Sequence, residues 1–259
     1  MPLPAFHFKK FSVEQDGAAH PVGTDAVLLG SWADVRGAKR FLDIGTGTGV
    51  IALMLAQRLE VINSIASNST GMAVEIHPAS AALARNNFAA SPWANQLDVW
   101  TGSVQEFASA NKFLLPAEPS ENWMHPDITF DLIVSNPPFF SDLTVSPDKS
   151  RSLGRHTATL SPDDLLACVA QLLSPNGKFC TILPVREGYR LCEFAVPLGL
   201  YWTRITEVSS RSGKPVERLL LQFERSPFGF QKENICLYAD EKGQEYSQAF
   251  QSMTRDFYL

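Results

Sequence analysis

The sequence predicts an α/β fold in which helices cover a mostly parallel β-sheet, and three observations support this. The apolar, β-branched run Phe130–Ser135 is typical of a strand buried on both faces. Arg40–Ile44 predicts a second strand, joined by a glycine-rich loop to a periodic helix over residues 50–59. Two further strand patterns, 201–208 and 218–224, have no helix between them, so an antiparallel hairpin should end the sheet.

The remaining elements follow from hydrophobic periodicity and from start and stop signals. A helix should begin at Ser161-Pro162-Asp163-Asp164 and end at Pro175-Asn176-Gly177. Two stretches, 111–127 and 140–159, predict long loops. Further strands are expected over 71–76, 96–101 and 178–184, further helices over 78–90, 103–110 and 187–198, and an amphipathic tail over 246–259.

The first 36 residues precede the main fold. Residues 6–11 alternate aromatic and polar side chains, which predicts a short edge strand. Thr24 or Asp25 can cap a short helix, and a role of the Gly-Thr-Asp turn in ligand binding stays open beside that interpretation. We therefore expect a single domain, with a cofactor-covering segment over 1–36 and a catalytic part over 37–259.

Composition limits the class of protein. The chain has 259 residues and a net charge of −5, with no apolar run near the ~18 residues that a membrane span needs and no leader pattern, so we expect a cytoplasmic protein. Its four cysteines form no C-x-x-C pair, which argues against zinc and against a disulfide framework. We expect all four to be core thiols and no metal to be bound.

The most informative motif is the turn Asn136-Pro137-Pro138-Phe139, which follows the strand Phe130–Ser135. Ligands of open α/β sheets bind at the carboxyl ends of strands. The prolines fix the backbone, the carboxamide of Asn136 and the carbonyl of Pro137 can accept both protons of an exocyclic NH2 group, and Phe139 can stack on a flat ring. A proline-rich exit turn with a buried phenylalanine is the alternative.

The loop Gly45-Thr46-Gly47-Thr48-Gly49 predicts a nucleotide-binding turn at the start of a helix. The dinucleotide fingerprint is not met, because Val50 occupies its third glycine position, and this disfavours a dehydrogenase. Asp43 would repel a diphosphate but attract the cationic amino group of an amino-acid ligand. Glu75, near the end of the next strand, is placed to hold ribose hydroxyls, unless it is an ordinary surface residue.

These motifs, in this order, resemble the class I S-adenosylmethionine-dependent methyltransferases that modify exocyclic amino groups. Phe8-Lys9-Lys10-Phe11, the stretch 22–30 and Ser91-Pro92-Trp93 resemble one branch in particular, the bacterial tRNA (adenine-6-amino) methyltransferases that act on the adenosine 3′ of the anticodon, adenosine 37, of a valine tRNA. The resemblance covers almost the whole chain. It implies a Rossmann-like, doubly wound, seven-stranded sheet, S-adenosylmethionine as cofactor and a tRNA substrate.

The resemblance also implies roles for individual residues. Gly45, Gly47 and Gly49 would wrap the methionine end of the cofactor. Asp43 would orient its amino group and Glu75 would hold its ribose hydroxyls. Ser103 stands where the family has an acidic residue that contacts the adenine. Thr24 and Asp25 are expected to complete the cofactor set. Asn136, Pro137 and Phe139 would be catalytic, and Pro138, Phe140, Lys149, Arg151 and Arg155 would contact the substrate.

Other functions stay open at this point. Guanine 2-amino groups in ribosomal RNA and glutamine amides in proteins present the same NH2 group to the same turn. A non-catalytic RNA-binding module that uses the cofactor for structure is a more remote alternative, since binding alone does not need the acceptor pair. The cations of the 140–159 loop could contact phosphates or be a solvated charge run. We expect a monomer.

Overall fold

The computed structural model of the protein describes residues 3–62, 69–113, 128–138 and 160–258. Ten strands and seven helices lie within these ranges, together with a 3-10 turn at Val196–Leu198. The strands are β1 Phe6–His7, β2 Ser12–Val13, β3 Arg40–Ile44, β4 Thr70–Glu75, β5 Leu97–Thr101, β6 Phe130–Ser135, β7 Leu173–Pro184, β8 Tyr201–Ser209, β9 Val216–Glu224 and β10 Gln231–Cys236. The helices are α1 Thr24–Trp32, α2 Val50–Ile62, α3 Pro78–Ala89, α4 Val104–Phe113, α5 Pro162–Leu172, α6 Val185–Ala195 and α7 Gln248–Thr254.

Eight strands form one sheet in the order β10-β8-β9-β7-β6-β3-β4-β5. Every neighbouring pair is parallel except the two that involve β9, which runs against both β7 and β8. The parallel sheet with an antiparallel C-terminal hairpin is therefore confirmed. The order reverses beside β3, and such switch points are where open α/β sheets bind ligands.

The eighth strand, β10, was missed by the sequence analysis. Of its six residues only Ile235 is buried, so the stretch Gln231–Cys236 lacks the apolar pattern by which strands are recognised. It pairs in parallel with β8 at the outer edge of the sheet. Its charged side chains are the kind that protect an edge strand from pairing with another chain.

Strand β7 also begins earlier than predicted. Helix α5 ends at Leu172, and β7 starts at Leu173, opposite Phe130. The pairing then jumps to Lys178 opposite Leu132, so the Pro175-Asn176-Gly177 segment lies in the irregular first part of the strand instead of closing the helix. The prediction that this segment closes the helix is therefore wrong; it coincides with the irregular pairing of β7 and β6.

Residues 6–11 do not form an edge strand of the main sheet. Strands β1 and β2 pair only with each other, as a short antiparallel ribbon. Phe8 and Phe11, in the turn of this ribbon, are buried against the core. The ribbon contacts the C-terminal segment, because the N–H of Lys9 donates to the carbonyl of Phe257 over 2.9 Å. Both ends of the described chain thus pack on the same side of the sheet.

Apolar side chains fill both faces of the sheet. On one face Phe41, Leu132 and Val134 join the side chains of α1, α2 and α3 in a buried cluster. On the other face Leu42 and Ile133 join the side chains of α4, α5 and α6. Alternate residues of each central strand therefore point into different clusters, as in a doubly wound sheet.

Three of the four cysteines are core thiols, as expected. Cys168, Cys180 and Cys192 are buried and free, and burial raises the pKa of Cys180 and of Cys192 to about 12. Cys236 differs, since it is only half-buried at the sheet edge, with Sγ 3.3 Å from Oγ of Ser209.

Candidate active site

The predicted motifs leave the sheet side by side at one edge. Ile44 of β3 is paired with Ser135 of β6 and with Val74 of β4. Asn136, the glycine loop and Glu75 therefore follow directly at the carboxyl ends of three adjacent strands. Glu75 is paired with Thr101 of β5, so Ser103 lies at the fourth strand end. Four strands at ~4.8 Å spacing make this row about 14 Å long.

The glycine loop is held in left-handed conformations, with φ values of 74° at Gly45, 57° at Gly47 and 84° at Gly49. The three glycines have different roles. A Cβ at Gly49 would lie 2.5 Å from Cε1 of Phe88, so this glycine lets α2 and α3 pack closely. A Cβ at Gly45 or Gly47 would meet nothing within 4 Å, which leaves open space against the loop backbone for a ligand.

Asp43 lies beneath this loop and is completely buried. Its Oδ2 accepts a 2.6 Å hydrogen bond from Oγ1 of Thr46, whereas its Oδ1 has no partner among the described residues. Burial raises the pKa of Asp43 to about 7, the hydrogen bonds from Thr46 and the Ala52 N–H oppose that rise, and the charge of Glu75 adds to it. A buried carboxylate with a free oxygen is a suitable partner for an ammonium group.

Glu75 is buried and held in place by two backbone donors. The N–H of Gly47 donates to its Oε2 over 3.0 Å, and the N–H of His77 donates to its Oε1 over 2.9 Å. Both oxygens keep a lone pair for a further donor. The alternative of a surface glutamate is excluded by this burial, and the oriented carboxylate suits vicinal hydroxyls.

Ser103 has a structural role that the sequence analysis missed. Its N–H and its Oγ both donate to Oε2 of Glu106, at 2.9 and 2.8 Å, and the N–H of Glu106 donates back to the Ser103 Oγ over 3.1 Å. This is a capping box at the start of α4, with the Ser-x-x-Glu spacing visible in the sequence. Contact of Ser103 with the cofactor adenine stays a prediction.

The turn after β6 begins beside the glycine loop. Oγ of the buried Ser135 donates to the carbonyl of Ile44 over 2.9 Å, which fixes the ends of the two strands to each other. Asn136 is half-buried, Pro137 is buried and Pro138 is exposed. Five predicted substrate or catalytic residues lie outside the described residues: Phe139, Phe140, Lys149, Arg151 and Arg155.

Neither Thr24 nor Asp25 caps helix α1, whose N-cap is Gly23, with no side-chain hydrogen bond. The carboxylate of Asp25 instead accepts a 2.9 Å hydrogen bond from Nε of Arg218, and both side chains are partly exposed. Arg218 is paired with Pro184 at the end of β7, so the Asp25 ion pair lies at the same edge as Asn136. The cofactor roles of Thr24 and Asp25 stay predictions.

Asn87 is a buried residue of this region that the sequence analysis did not single out. Its Nδ2 donates to the carbonyls of Thr48 and Glu14, at 2.8 and 2.9 Å, and its Oδ1 accepts from the N–H of Glu14 at 2.9 Å. It thereby ties the N-terminal segment to the glycine loop. A signal existed: Asn87 shares the buried face of α3 with Ala81, Ala84 and Phe88, where an unpaired amide would be costly.

Within the described ranges, no group of three or more His, Cys, Asp or Glu side chains is arranged to hold a metal ion. No helix there combines the length and the apolar character that crossing a membrane requires.

Comparison with known proteins identifies the class. Residues 22–183 match the family model of the methyltransferase small domain. A solved structure described as a predicted O-methyltransferase from Agrobacterium tumefaciens has the same fold, with a TM-score of 0.59 and 18% identity over 90% of this chain and 96% of that one. An O-methyltransferase from Bacillus cereus in complex with SAH gives a TM-score of 0.52 and 18% identity over 80% and 83% of the two chains. The protein is an S-adenosylmethionine-dependent methyltransferase.

Full-length relatives narrow the class to one family. A protein from Tolumonas auensis is 39% identical over 98% of this chain and 97% of its own length. A protein from Klebsiella pneumoniae is 36% identical over 100% of this chain and 96% of its own. Both are named tRNA1(Val) (adenine(37)-N6)-methyltransferase, and the chain belongs to that family.

Proposed function

We propose that this enzyme methylates the 6-amino group of adenosine 37, next to the anticodon, in a valine tRNA. The observation that carries the proposal is the register that sets Asn136 beside Gly45, so that an amino-group acceptor and a nucleotide loop share one edge of the sheet. The substrate is the one named for the relatives that match the full chain. These relatives do not favour the guanine and glutamine alternatives.

The residues at this edge fit S-adenosylmethionine, which supplies a methyl group made electrophilic by a sulfonium. The open backbone of Gly45 and Gly47 would receive the methionine end, and the free Oδ1 of Asp43 would accept from its amino group. Glu75 would accept from the ribose hydroxyls with the lone pairs that Gly47 and His77 leave free. Ser103 would meet the adenine through its hydroxyl oxygen, which donates its proton to Glu106 and accepts from the Glu106 N–H but keeps a second lone pair.

Asn136 and Pro137 would orient the nucleophile. The amide oxygen of Asn136 and the backbone carbonyl of Pro137 accept the two N–H protons of the adenine amino group, which turns the nitrogen lone pair toward the methyl donor. Neither Pro137 nor Pro138 has a backbone N–H, so no donor of these two residues competes for the acceptors. Positioning of this kind supplies much of the rate in reactions that need little acid–base chemistry.

The target base must leave its stack to reach this edge. We assign its stacking surface to Phe139, with Pro138 and Phe140 beside it, and contacts with the tRNA phosphates to Lys149, Arg151 and Arg155. These assignments rest on the motif and on the charge of the segment. A tRNA substrate places the reaction in the cytoplasm, and we propose that the enzyme acts as a monomer.

The function is tested by incubating the enzyme with labelled S-adenosylmethionine and, separately, total tRNA, ribosomal RNA and cell protein. Label should enter tRNA alone and should elute as N6-methyladenosine after digestion to nucleosides. A valine tRNA transcript with guanosine at position 37 is the matched control and should take no label. Label in ribosomal guanosine or in protein glutamine would overturn the proposal.

A further inference from the structure

A groove of about 750 Å³ separates the N-terminal ribbon from helix α7. It is lined by His7 and Lys9 of the ribbon, by Thr24 at the start of α1, and by Tyr246, Arg255 and Tyr258 of the C-terminal segment. We call it the terminal groove. None of the residues assigned above to the methyl transfer itself lies in it, and only Thr24 is shared with the predicted cofactor set.

The terminal groove is positive in a protein whose net charge is −5. Its described lining holds no carboxylate side chain, but it holds Lys9 and Arg255. Nζ of Lys9 donates to the carbonyl of Arg255 over 2.6 Å, which fixes the ammonium group at the groove and leaves it two further protons to donate. Arg255 is exposed, and Asp256 is 3.7 Å away in a surface ion pair of the kind that contributes little. The local charge therefore suits an anion such as a phosphate.

Aromatic side chains stand beside these cations. The rings of Tyr238, Tyr246 and Tyr258 form a row with nearly parallel planes, 14° and 11° apart, and centroid separations of 5.3 and 6.4 Å. Tyr246, the middle ring of this row, is 43% exposed. Burial, with the neighbouring tyrosines, raises the pKa of Tyr258 to about 12, so its phenol stays neutral. Cations next to exposed aromatic side chains are the combination that binds unpaired nucleotides.

The terminal groove opens at the same edge of the sheet as the catalytic turn. The chain after β10 continues along β8 at its carboxyl end, where the N–H of Tyr238 donates to the carbonyl of Ser210 over 3.0 Å. Four strand spacings separate β10 from β6, which is about 19 Å. Tyr246 is bridged to Tyr238 just after β10, so an RNA loop is long enough to reach from Asn136 to this end of the groove.

We propose that the terminal groove binds an unpaired nucleotide of the RNA substrate other than the target adenosine. Lys9 and Arg255 contact its phosphate, and its base lies against Tyr246 and Tyr258. This inference rests on the proposed function, because it takes the tRNA as the macromolecule at this edge. It adds a second point of attachment that orients the anticodon loop over Asn136.

The test measures binding of unmodified valine tRNA without cofactor, over a series of salt concentrations. Lys9→Ala with Arg255→Ala removes two cations from the groove; Lys39→Ala with Arg40→Ala removes two exposed cations from the opposite edge and is the control. The groove variant should raise the Kd roughly 10-fold or more and lower the salt slope by ~0.7–0.9, since the two cations contact a single phosphate. A groove variant that binds like the control would overturn the inference. Arg255→Glu, at an exposed side chain, repeats the test and leaves the backbone carbonyl that accepts from Lys9 in place.

The aromatic contact is tested with two substitutions of Tyr246. Tyr246→Leu removes the stacking face but keeps apolar volume against Phe250, and Tyr246→Phe keeps the face. Tyr246→Leu should raise the KM for tRNA roughly 5- to 100-fold, the range expected for the loss of one base stack, with kcat and cofactor Kd unchanged. Tyr246→Phe should keep the wild-type KM. Equal KM values for the two variants, at equal thermal stability, would refute base stacking. If the wild-type enzyme binds tRNA but methylates none, the proposed function is wrong. The binding assay then still shows whether the terminal groove contacts RNA.

Discussion

The backbone N–H of Gly47 donates to Oε2 of Glu75 across 3.0 Å and thereby joins the glycine loop of β3 to the acidic end of β4. The bond does two things. It satisfies a donor in a loop without regular pairing, and it orients a buried carboxylate toward the open side of the loop. The loop and the proposed ribose acceptor therefore form one unit, and a change in either should disturb both.

Glu75→Gln tests this unit. The amide nitrogen of glutamine is a donor, so one of the two N–H groups from Gly47 and His77 loses its acceptor, which costs about 1–3 kcal/mol of stability. We expect a lower Tm and a cofactor Kd raised at least 10-fold, measured by thermal unfolding and calorimetry. Glu60→Gln, at an exposed glutamate, should change neither quantity. Unchanged cofactor affinity in Glu75→Gln would remove Glu75 from the site.

Because of Asp43, we expect both the stability of the protein and its cofactor affinity to depend on pH. The Asp43 pKa of about 7 lies above the usual value, so the ligand-free folded state holds a proton that the unfolded state releases near pH 4. The contribution of Asp43 to stability is therefore fully present below pH 4 and is lost as the pH rises through 7. Binding of a cationic amino group favours the charged form, so cofactor affinity should rise between pH 5.5 and 7.5.

Calorimetric titrations across that pH window, with Asp43→Asn beside the wild type, check the assignment. The variant should bind more weakly at pH 7.5 and should lose the rise with pH. Asp98→Asn, at an exposed position on β5, should keep it. A wild-type-like pH profile in Asp43→Asn would assign the dependence to another group.

Ser103 can be tested for its two roles separately. Ser103→Ala removes the cap of α4 and should destabilise the protein by about 1 kcal/mol. Ser103→Asp keeps an oxygen that can accept from the Glu106 N–H but loses the bond donated to the Glu106 carboxylate, so it should also lower the Tm. It adds a charged acceptor where the hydroxyl is a neutral one, so it should tighten cofactor binding. Thermal unfolding follows the first variant and calorimetry the second. Weaker binding in Ser103→Asp would argue against an adenine contact at this position.

Asn87 should act as a positioning residue. Asn87→Ala removes the hydrogen bonds from the Asn87 amide to Thr48 and Glu14, so the glycine loop loses its tie to the N-terminal segment. We expect a cofactor KM raised about 10-fold or more, a kcat within a few-fold of wild type and a lower Tm. Asn86→Ala, one residue away and exposed, is the control. Loss of Tm with an unchanged cofactor KM would restrict Asn87 to a structural role.

The residues that sequence reasoning placed and those it missed differ in a physical way. Gly47, Glu75 and Asn136 follow strands with strong apolar patterns, and adjacent parallel strands bring their carboxyl ends together. Asn87 acts through a contact with Thr48 39 residues away, which local patterns do not encode. Strand β10 is stabilised by pairing with β8 and not by its own burial, so its sequence Gln231–Cys236 carries little strand signal.

The Asn136 side chain carries the sharpest test, since its proposed role is confined to orienting the nucleophile. Asn136→Ala should leave the fold and the cofactor Kd nearly unchanged, because Asn136 is only half-buried and no described hydrogen bond depends on it. The interaction it removes matures in the transition state, so kcat should fall on the order of 100-fold or more, as when one preorganised polar group is deleted from other enzymes. Asn234→Ala, at an exposed asparagine of β10, is the control and should keep full turnover. Methyl transfer to unmodified valine tRNA, measured beside cofactor titration, separates the two effects; near wild-type turnover in Asn136→Ala would mean that the turn after β6 is not where the methyl group is transferred.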